Sequence, residues 1–204
     1  MRRVLGRLGV LALLALLAGC ASGPPPAPIE GPEWKVGDRW VFRRTTTATM
    51  GGVATLATHE VIEATPEGYA VRVTRLNQEF TRHWSRELHL SRHVSGGRPL
   101  NAYEPPAMYF AWPLFPGKTW TQEFEYRDGK SDGRYTNTWR VGKEAERVDV
   151  VVGLFVAVRV ERLGGTGEPL DTYWYAPAAR YWVRLEDHVN QFVEELVEFR
   201  RAQP

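Results

Sequence analysis

Cysteine is almost absent from this chain: Cys20 is the only one among 204 residues. A single cysteine excludes an internal disulfide, so the folded part must be stabilised by a packed core. Lysine is also scarce, with four residues against 22 arginines, a bias that indicates a GC-rich genome before it indicates a function. Eight tryptophans, eight tyrosines and eight phenylalanines supply large apolar surfaces for such a core.

The motifs of several enzyme classes are missing too. No G-x-S-x-G nucleophile elbow occurs, and the glycines of Gly164–Gly167 precede a proline and a strand pattern, not the helix that a phosphate-binding loop requires. Adjacent acids such as Glu194 and Glu195 point to opposite faces of a strand and cannot share a proton. The sequence therefore predicts a non-enzymatic protein with no catalytic residue and no cofactor.

The excess of positive charge lies at the amino terminus. The chain carries 26 Lys+Arg against 24 Asp+Glu, and Arg2, Arg3 and Arg7 are three of those cations. Without residues 1–19 the balance is 23 against 24, a net charge near −1. Because acids and bases are interspersed in the rest of the chain and form no basic stripe, a nucleic-acid partner is not expected.

Residues 1–19 follow the plan of a secretory signal peptide. Three arginines come first, an uncharged apolar run from Leu8 to Gly19 follows, and small residues end it. The run is about a dozen residues long, whereas a membrane-spanning helix needs about 20. The segment is therefore predicted to be a removable signal and not a permanent span.

The end of this segment, Leu17-Ala18-Gly19-Cys20, resembles the lipobox of bacterial lipoproteins. The resemblance implies cleavage between Gly19 and Cys20, an S-diacylglycerol on the Cys20 thiol and an acyl chain on its new amino terminus. It also implies a membrane as partner through this anchor. Two other interpretations stay open: an ordinary buried cysteine behind a leader, or cleavage near Ala18.

The residue after the lipobox bears on the membrane in which the anchor sits. Ala21 stands where lipoproteins retained at the inner membrane commonly carry aspartate. By this resemblance we expect the periplasmic face of the outer membrane, with the outer face of the inner membrane as the alternative.

A proline-rich segment separates the anchor from the rest of the chain. Residues 20–33 combine Cys20 with the sequence ASGPPPAPIEGPE, whose prolines fix φ and remove backbone donors. We interpret it as an extended spacer that joins no sheet, in preference to a recognition motif for a partner. Residues 34–204 are then one β-rich domain.

From Trp34 onward, short runs of alternating polarity are separated by turn residues, which is typical of an antiparallel all-β domain. About ten or eleven strands are predicted, in a single curved sheet, a half-barrel or a barrel-like fold. The valine-rich run from Val148 to Leu163 is interpreted as one buried strand. Turns are expected at Met50–Gly52, Thr65–Gly68, Asp128–Gly133 and Ala176–Ala179.

One stretch conflicts with the all-β pattern. Apolar residues between Val189 and Val197 fall at helical spacing, which by itself predicts an amphipathic helix over residues 189–199.

Four segments together resemble an uncharacterised β-rich domain of bacterial lipoproteins and periplasmic proteins. The family implies a single domain whose last segment is a strand, so we favour a strand over residues 189–199. Ala178-Ala179 departs from the glycine-containing turn usual in that family, and no agreed activity accompanies it. The four segments are WKVGDRWVFR (34–43), WPLFPGKTW (112–120), VVVGLFVAVRVER (150–162) and YWYAPAARYWVRLE (173–186).

A more distant likeness is one of architecture alone. Carriers that bring lipoproteins to the outer membrane hold acyl chains in an open half-barrel of antiparallel strands, but a shared architecture does not fix a function.

Histidine offers the first candidate for a metal site. His83, His89 and His93 share one face if their segment is a single extended strand. Neighbours on one face of a strand are about 6.6–6.8 Å apart, and these residues are separated by two or three such steps. They are therefore too distant to share a zinc ion, and no metal site is predicted.

The aromatic residues are the remaining candidates for a ligand site. Most of them are expected to be core or cross-strand partners. Some could line a groove for an acyl chain or a sugar, and five are selected: Trp112, Phe115, Trp120, Trp174 and Trp182.

Three functions follow from these features. The first is a lipid-anchored binding or assembly protein that takes an apolar or glycan ligand or an envelope protein. The second is an envelope enzyme acting on a glycan or lipid. The third is a purely structural lipoprotein, which we expect if the sheet closes without a cavity.

The lipid anchor is directly testable. Cells that express the full chain and are fed an alkyne-tagged fatty acid should label the protein, and Cys20→Ser should abolish the label because the acceptor thiol is gone. Gel fluorescence after click coupling measures both. Label that persists in Cys20→Ser would refute lipidation at this residue.

Overall fold

The computed structural model describes residues 27–47 and 52–202, which form twelve antiparallel β-strands. The lipobox and the first part of the spacer lie outside the described residues, and so does most of the expected turn at Met50–Gly52. The strands are β1 (Arg39–Thr46), β2 (Ala54–Thr65), β3 (Gly68–Arg75), β4 (Gln78–Ser85), β5 (His89–Ser95), β6 (Arg98–Met108), β7 (Thr119–Arg127), β8 (Gly133–Val150), β9 (Gly153–Leu163), β10 (Pro169–Ala176), β11 (Tyr181–Asp187) and β12 (Phe192–Arg200).

The sheet is a closed barrel in which each strand pairs with its neighbours in sequence. Closure comes from β12, which pairs with β11 on one side and with β1 on the other. The prediction of an antiparallel all-β fold is confirmed. The predicted number of ten or eleven strands is too low, and of the three predicted shapes the barrel is the one observed.

The strand count differs because the valine-rich run is a hairpin and not one strand. β8 ends at Val150, and β9 begins at Gly153, whose φ of 129° favours glycine. One face of this hairpin packs on the barrel, with Phe155 of β9 lying 5.9 Å from Phe199 of β12. Its other face meets solvent, where Leu154 is 60% exposed. The expectation that the whole run is buried is therefore wrong.

The segment with helical spacing is a strand. Residues 188–191 form the turn after β11, and β12 then presents Phe192, Glu194 and Leu196 to the interior. A helix here would leave β1 and β11 with unpaired backbone edges. The buried Glu194 interrupts the apolar alternation, which is why the pattern alone favoured a helix.

Aromatic side chains fill the end of the barrel where β1 begins and β12 ends. Trp40 stacks on Tyr181 with ring centroids 4.4 Å apart, and Trp34 packs on the same tyrosine at 5.3 Å. The indole nitrogens of Trp34 and Trp40 donate to the backbone oxygens of Arg180 and Ala179, so these buried donors are satisfied. The turn between β10 and β11, which contains Ala179 and Arg180, thus anchors an aromatic plug made of Trp34, Trp40 and Tyr181.

Part of the predicted spacer docks on the barrel. Ile29 and Leu114 exchange two backbone hydrogen bonds of 2.8 Å, one in each direction. Ile29 can do so because it keeps its N–H between Pro28 and later prolines. The bridge lies outside the twelve strands, since Leu114 belongs to the connection between β6 and β7, so Ile29 contacts the barrel without joining its sheet.

Two further turns lie where the sequence places them. β2 ends at Thr65 and β3 begins at Gly68, and the carboxylates of Asp128 and Asp132 accept backbone N–H groups in the turn before β8. Within residues 27–47 and 52–202, no helix has the length and apolarity needed to cross a membrane.

The packing between β1 and β12 predicts that truncating Phe42 strongly lowers the stability of the fold. Phe42 of β1 is fully buried beside Tyr181 and Trp182, and it pairs with Leu196 of β12. Phe42→Ala should lower the free energy of unfolding by about 3–5 kcal/mol because it leaves a cavity. Leu154→Ala, on an exposed face, should change it by no more than about 0.5 kcal/mol. Urea denaturation followed by tryptophan fluorescence measures both, and equal losses would contradict the assignment of the core.

Candidate functional site in the barrel interior

A cavity of about 270 Å³ lies inside the barrel. It extends to the exposed Asn190 in the turn between β11 and β12, at the end opposite the aromatic plug. This end is the mouth. Six charged side chains line the cavity: Arg44, Arg82, Arg162, Asp171, Asp187 and Glu194.

Two of the three acids are neutralised by ion pairs inside the barrel. Arg162 Nε donates to Asp171 Oδ2 at 2.5 Å, and an Arg44 guanidinium nitrogen lies 3.3 Å from Glu194 Oε1. Burial raises the pKa of Asp171 and of Glu194, and the partner arginines oppose that rise. Each acid is thus tied to a cation on a neighbouring strand.

The third acid lies at the mouth. Asp187 accepts hydrogen bonds from the backbone N–H of Asn190 at 2.6 Å and from its side-chain amide at 2.8 Å. These bonds hold the turn between β11 and β12 and satisfy both carboxylate oxygens.

The inner wall of the cavity also carries donors without partners, which lie on β4 and β5 and, across the cavity, on β11 between the strands of the two paired acids. Six side-chain nitrogens in the described part of the chain are buried without a hydrogen bond, and four of them belong to residues of this cavity. Trp84 and Trp182 are only 5% and 4% exposed. Buried polar groups are normally paired, so four unpaired ones around one cavity mark a binding surface. The four atoms are Arg82 Nε, Trp84 Nε1, His93 Nε2 and Trp182 Nε1.

His93 belongs to this wall as a neutral donor. The Asn101 carbonyl oxygen accepts from the His93 backbone N–H at 3.1 Å, which turns the amide nitrogen of Asn101 toward His93 Nδ1 at 3.2 Å. Nδ1 therefore accepts, and the ring proton lies on Nε2. Burial and the nearby Arg82 cation lower the pKa of His93 to about 3.

A second cavity of about 280 Å³ adjoins the first. Tyr109, Arg162 and Asp171 line both cavities and so form the partition between them. Burial raises the pKa of Tyr109, whose hydroxyl therefore stays protonated. The rest of the second cavity is lined by Tyr103, Phe124, Tyr126, Tyr135 and Asn137.

The chain was compared with known families and structures. No family model matches it, and no curated protein sequence does. The resemblance of the four segments to a domain family therefore stays a prediction.

Three crystal structures are similar in overall shape. One is a Bacteroides fragilis protein described as exported and as having a YmcC-like fold, and another is described as a lipoprotein of Parabacteroides distasonis. Each has a TM-score of 0.43 and 15% identity over 86% of this chain and 100% of the other. The third, the hypothetical lipoprotein YmcC of Escherichia coli, has a TM-score of 0.36 and 12% identity over 82% and 85%. At TM-scores below 0.5 these likenesses support no conclusion about function.

The five aromatic residues selected from the sequence do not meet in one site. Trp182 alone among them lines the first cavity. Trp112 packs on Phe110 and Tyr175 beside the plug.

The other three aromatic candidates lie elsewhere. Trp120 stacks on Trp139 at 5.9 Å, and its Nε1 donates to the Met108 carbonyl. Trp174 donates to Glu146 of the β8–β9 hairpin, and Phe115 is 45% exposed. Their role as ligand-binding residues remains a prediction.

The three histidines do not share a face, which corrects the interpretation of their spacing. The pairing of β4 with β5 is shifted between Leu90 and Arg92 by a β-bulge. One extra residue turns His93 inward beside Arg82, whereas His83 pairs with Arg92 on the outer face. No group of three potential metal ligands occurs among residues 27–47 and 52–202.

Sequence reasoning missed the charged side chains of the cavity. One signal was available, because Arg82 stands between Phe80 and Trp84 in the alternation of β4 and so had to face the interior with them. No comparable signal marked Asp171 or Glu194, since each needs a partner from another strand to be identified.

The protonation of His93 is predicted from its surroundings. Lowering the pH from 8 to 5 should leave the ring neutral with its proton on Nε2, because burial and Arg82 both disfavour the imidazolium. Imidazole nitrogen chemical shifts in a ¹⁵N-histidine-labelled sample measure this state, and His93→Gln assigns the signal. A titration midpoint near the ordinary value of about 6.5 would contradict the buried environment.

Proposed function

We propose that this protein is a lipid-anchored envelope protein whose barrel binds a small polar ligand without transforming it. The observation that carries the proposal is the interior cavity with its four buried, unpartnered nitrogens. Buried polar groups are normally paired, so donors that face one cavity without a partner in the protein are positioned to bond a ligand there. A closed sheet without a cavity would instead have favoured a purely structural lipoprotein.

The charges of the cavity favour a polar ligand over an acyl chain. Arg82, Arg162 and Asp171 would lose hydration to hydrocarbon with no compensating hydrogen bond. The volume supports a small molecule, since the first cavity, at about 270 Å³, lies near the lower end of the usual range of about 300–1,000 Å³ for ligand sites.

Ile29 and the mouth lie at opposite ends of the barrel. Ile29 bonds to Leu114 near the plugged end, and the proposal places the lipid anchored at Cys20 on that side of the barrel. The mouth at Asn190 then faces away from the membrane and stays accessible to solutes of the periplasm.

An envelope enzyme acting on a glycan or lipid is the second candidate function. It is favoured by Asp171 and Glu194, two buried acids with raised pKa that line one cavity. The ion pairs with Arg162 and Arg44 weigh against it, because they hold both acids in place as structural partners. His93, with a pKa of about 3, is poorly suited to proton transfer at neutral pH.

Native mass spectrometry of the mature protein, purified from membranes in mild detergent, tests the binding function. Wild type should carry a small polar adduct that Leu185→Trp loses, since Leu185 lines the cavity and the indole fills it. Leu154→Trp is the matched control on an exposed face and should retain the adduct.

Three outcomes decide between the candidates. A clean mass for wild type would refute the binding function. An adduct that survives Leu185→Trp would place the ligand outside the cavity. A bound molecule that differs in mass between wild type and Glu194→Gln would favour the enzyme.

A further inference from the structure

We infer that the wall formed by Arg82, Trp84, His93 and Trp182 binds an oxyanion, that is, a carboxylate or phosphate group of the ligand. This inference rests on the proposed binding function and specifies the chemistry of its ligand. It depends on three properties of the wall: its donors, the guanidinium of Arg82 that forms no ion pair, and the position of these groups.

The wall presents donors alone. An indole N–H and a guanidinium can donate but cannot accept, and His93 is fixed by Asn101 as an Nε2–H donor. An ammonium group or an amide N–H could not satisfy any of them. A group with several lone pairs can accept from more than one at once, which is the property of carboxylate and phosphate.

The charge of Arg82 is not balanced by an ion pair. No salt bridge among the described residues includes Arg82, whereas Arg44 and Arg162 each pair with a cavity acid. Arg82 does act on Glu194, whose pKa it lowers against the effect of burial, but Glu194 is already paired with Arg44. A partly buried guanidinium without a counterion favours an anionic ligand.

The register of the strands brings the donors together. Arg82 and His93 are directly paired between β4 and β5, and Trp84 lies two residues from Arg82 on the same face. Side chains in such positions have Cβ atoms about 5–7 Å apart, within reach of one small anion. Trp182 and Trp84 also line a common void beside Tyr181 at the bottom of the cavity.

The three acids of the cavity are bonded to other residues and not to the four donors of this wall. Asp171 and Glu194 are occupied by arginines, and both oxygens of Asp187 accept from Asn190 at the mouth.

The test uses the mature lipoprotein in detergent with ¹⁵N-tryptophan labelling, titrated at pH 7 with sodium phosphate and, separately, with sodium acetate. Sodium chloride at equal ionic strength is the control for screening. The indole N–H signals of Trp84 and Trp182, assigned by Trp→Phe variants, should shift saturably. The signal of Trp120 should not, because its indole already donates to Met108.

Variants of arginine separate the site from a general charge effect. Arg82→Met should weaken anion binding at least tenfold, and Arg82→Lys, which keeps the charge but loses the planar fork, should weaken it less. Arg92→Met is the matched control, since Arg92 is exposed on the outer face of β5. Circular dichroism checks that each variant is folded. If Arg82→Met does not fold, the titration of the wild-type protein still tests whether the wall binds an anion.

The outcomes distinguish the sources of the oxyanion. Saturable shifts with phosphate alone assign a phosphate ligand, and shifts with acetate alone assign a carboxylate. Shifts that chloride reproduces, or that Arg82→Met leaves unchanged, overturn the inference. A neutral adduct in the mass spectrum combined with no anion response overturns the inference while the binding function stands.

Discussion

The pairing of β12 with β1 is the constraint on which the rest of the structure depends. It joins residues about 150 positions apart, placing Phe42 against Leu196 and Arg44 against Glu194. Closure removes the open edges that an antiparallel sheet would otherwise expose. It also encloses a cavity. Side chains just fill the interior of a barrel of about eight strands, whereas the interior of a twelve-stranded barrel is wider than its side chains fill.

The interior of the barrel has two regions, an apolar one filled by packed side chains and a polar one that contains the cavity. Aromatic rings around Tyr181 fill the end where β1 begins, and their indole nitrogens are satisfied by backbone oxygens. Toward the other end the inward positions carry charge, and water or a ligand can enter past Asn190. The plug supplies the apolar burial that the fold requires, which frees the mouth side for groups that destabilise a core but can bind a ligand.

The arginines of the cavity illustrate how the same residue type can serve two purposes. Arg162 and Arg44 compensate buried acids across neighbouring strands and so preserve the fold around the cavity. Arg82 has no such partner, and its neighbours Trp84 and His93 also present unbonded nitrogens. A partly buried cation without an ion-pair partner costs stability, and this is the observation behind the proposed oxyanion site.

The sequence by itself determined the antiparallel all-β fold class and several turns, because side-chain alternation and turn residues are local; the resemblance to a lipobox is local too, and it stays a prediction. Only the tertiary structure decided the closure, the hairpin at Gly153 and the cavity. Closure depends on distant pairing, which alternation does not encode, and a single β-bulge after Leu90 reverses the facing of His93. Arg82 could be placed inside from β4 alone, but its lack of a partner could be recognised only once every neighbouring strand was in position.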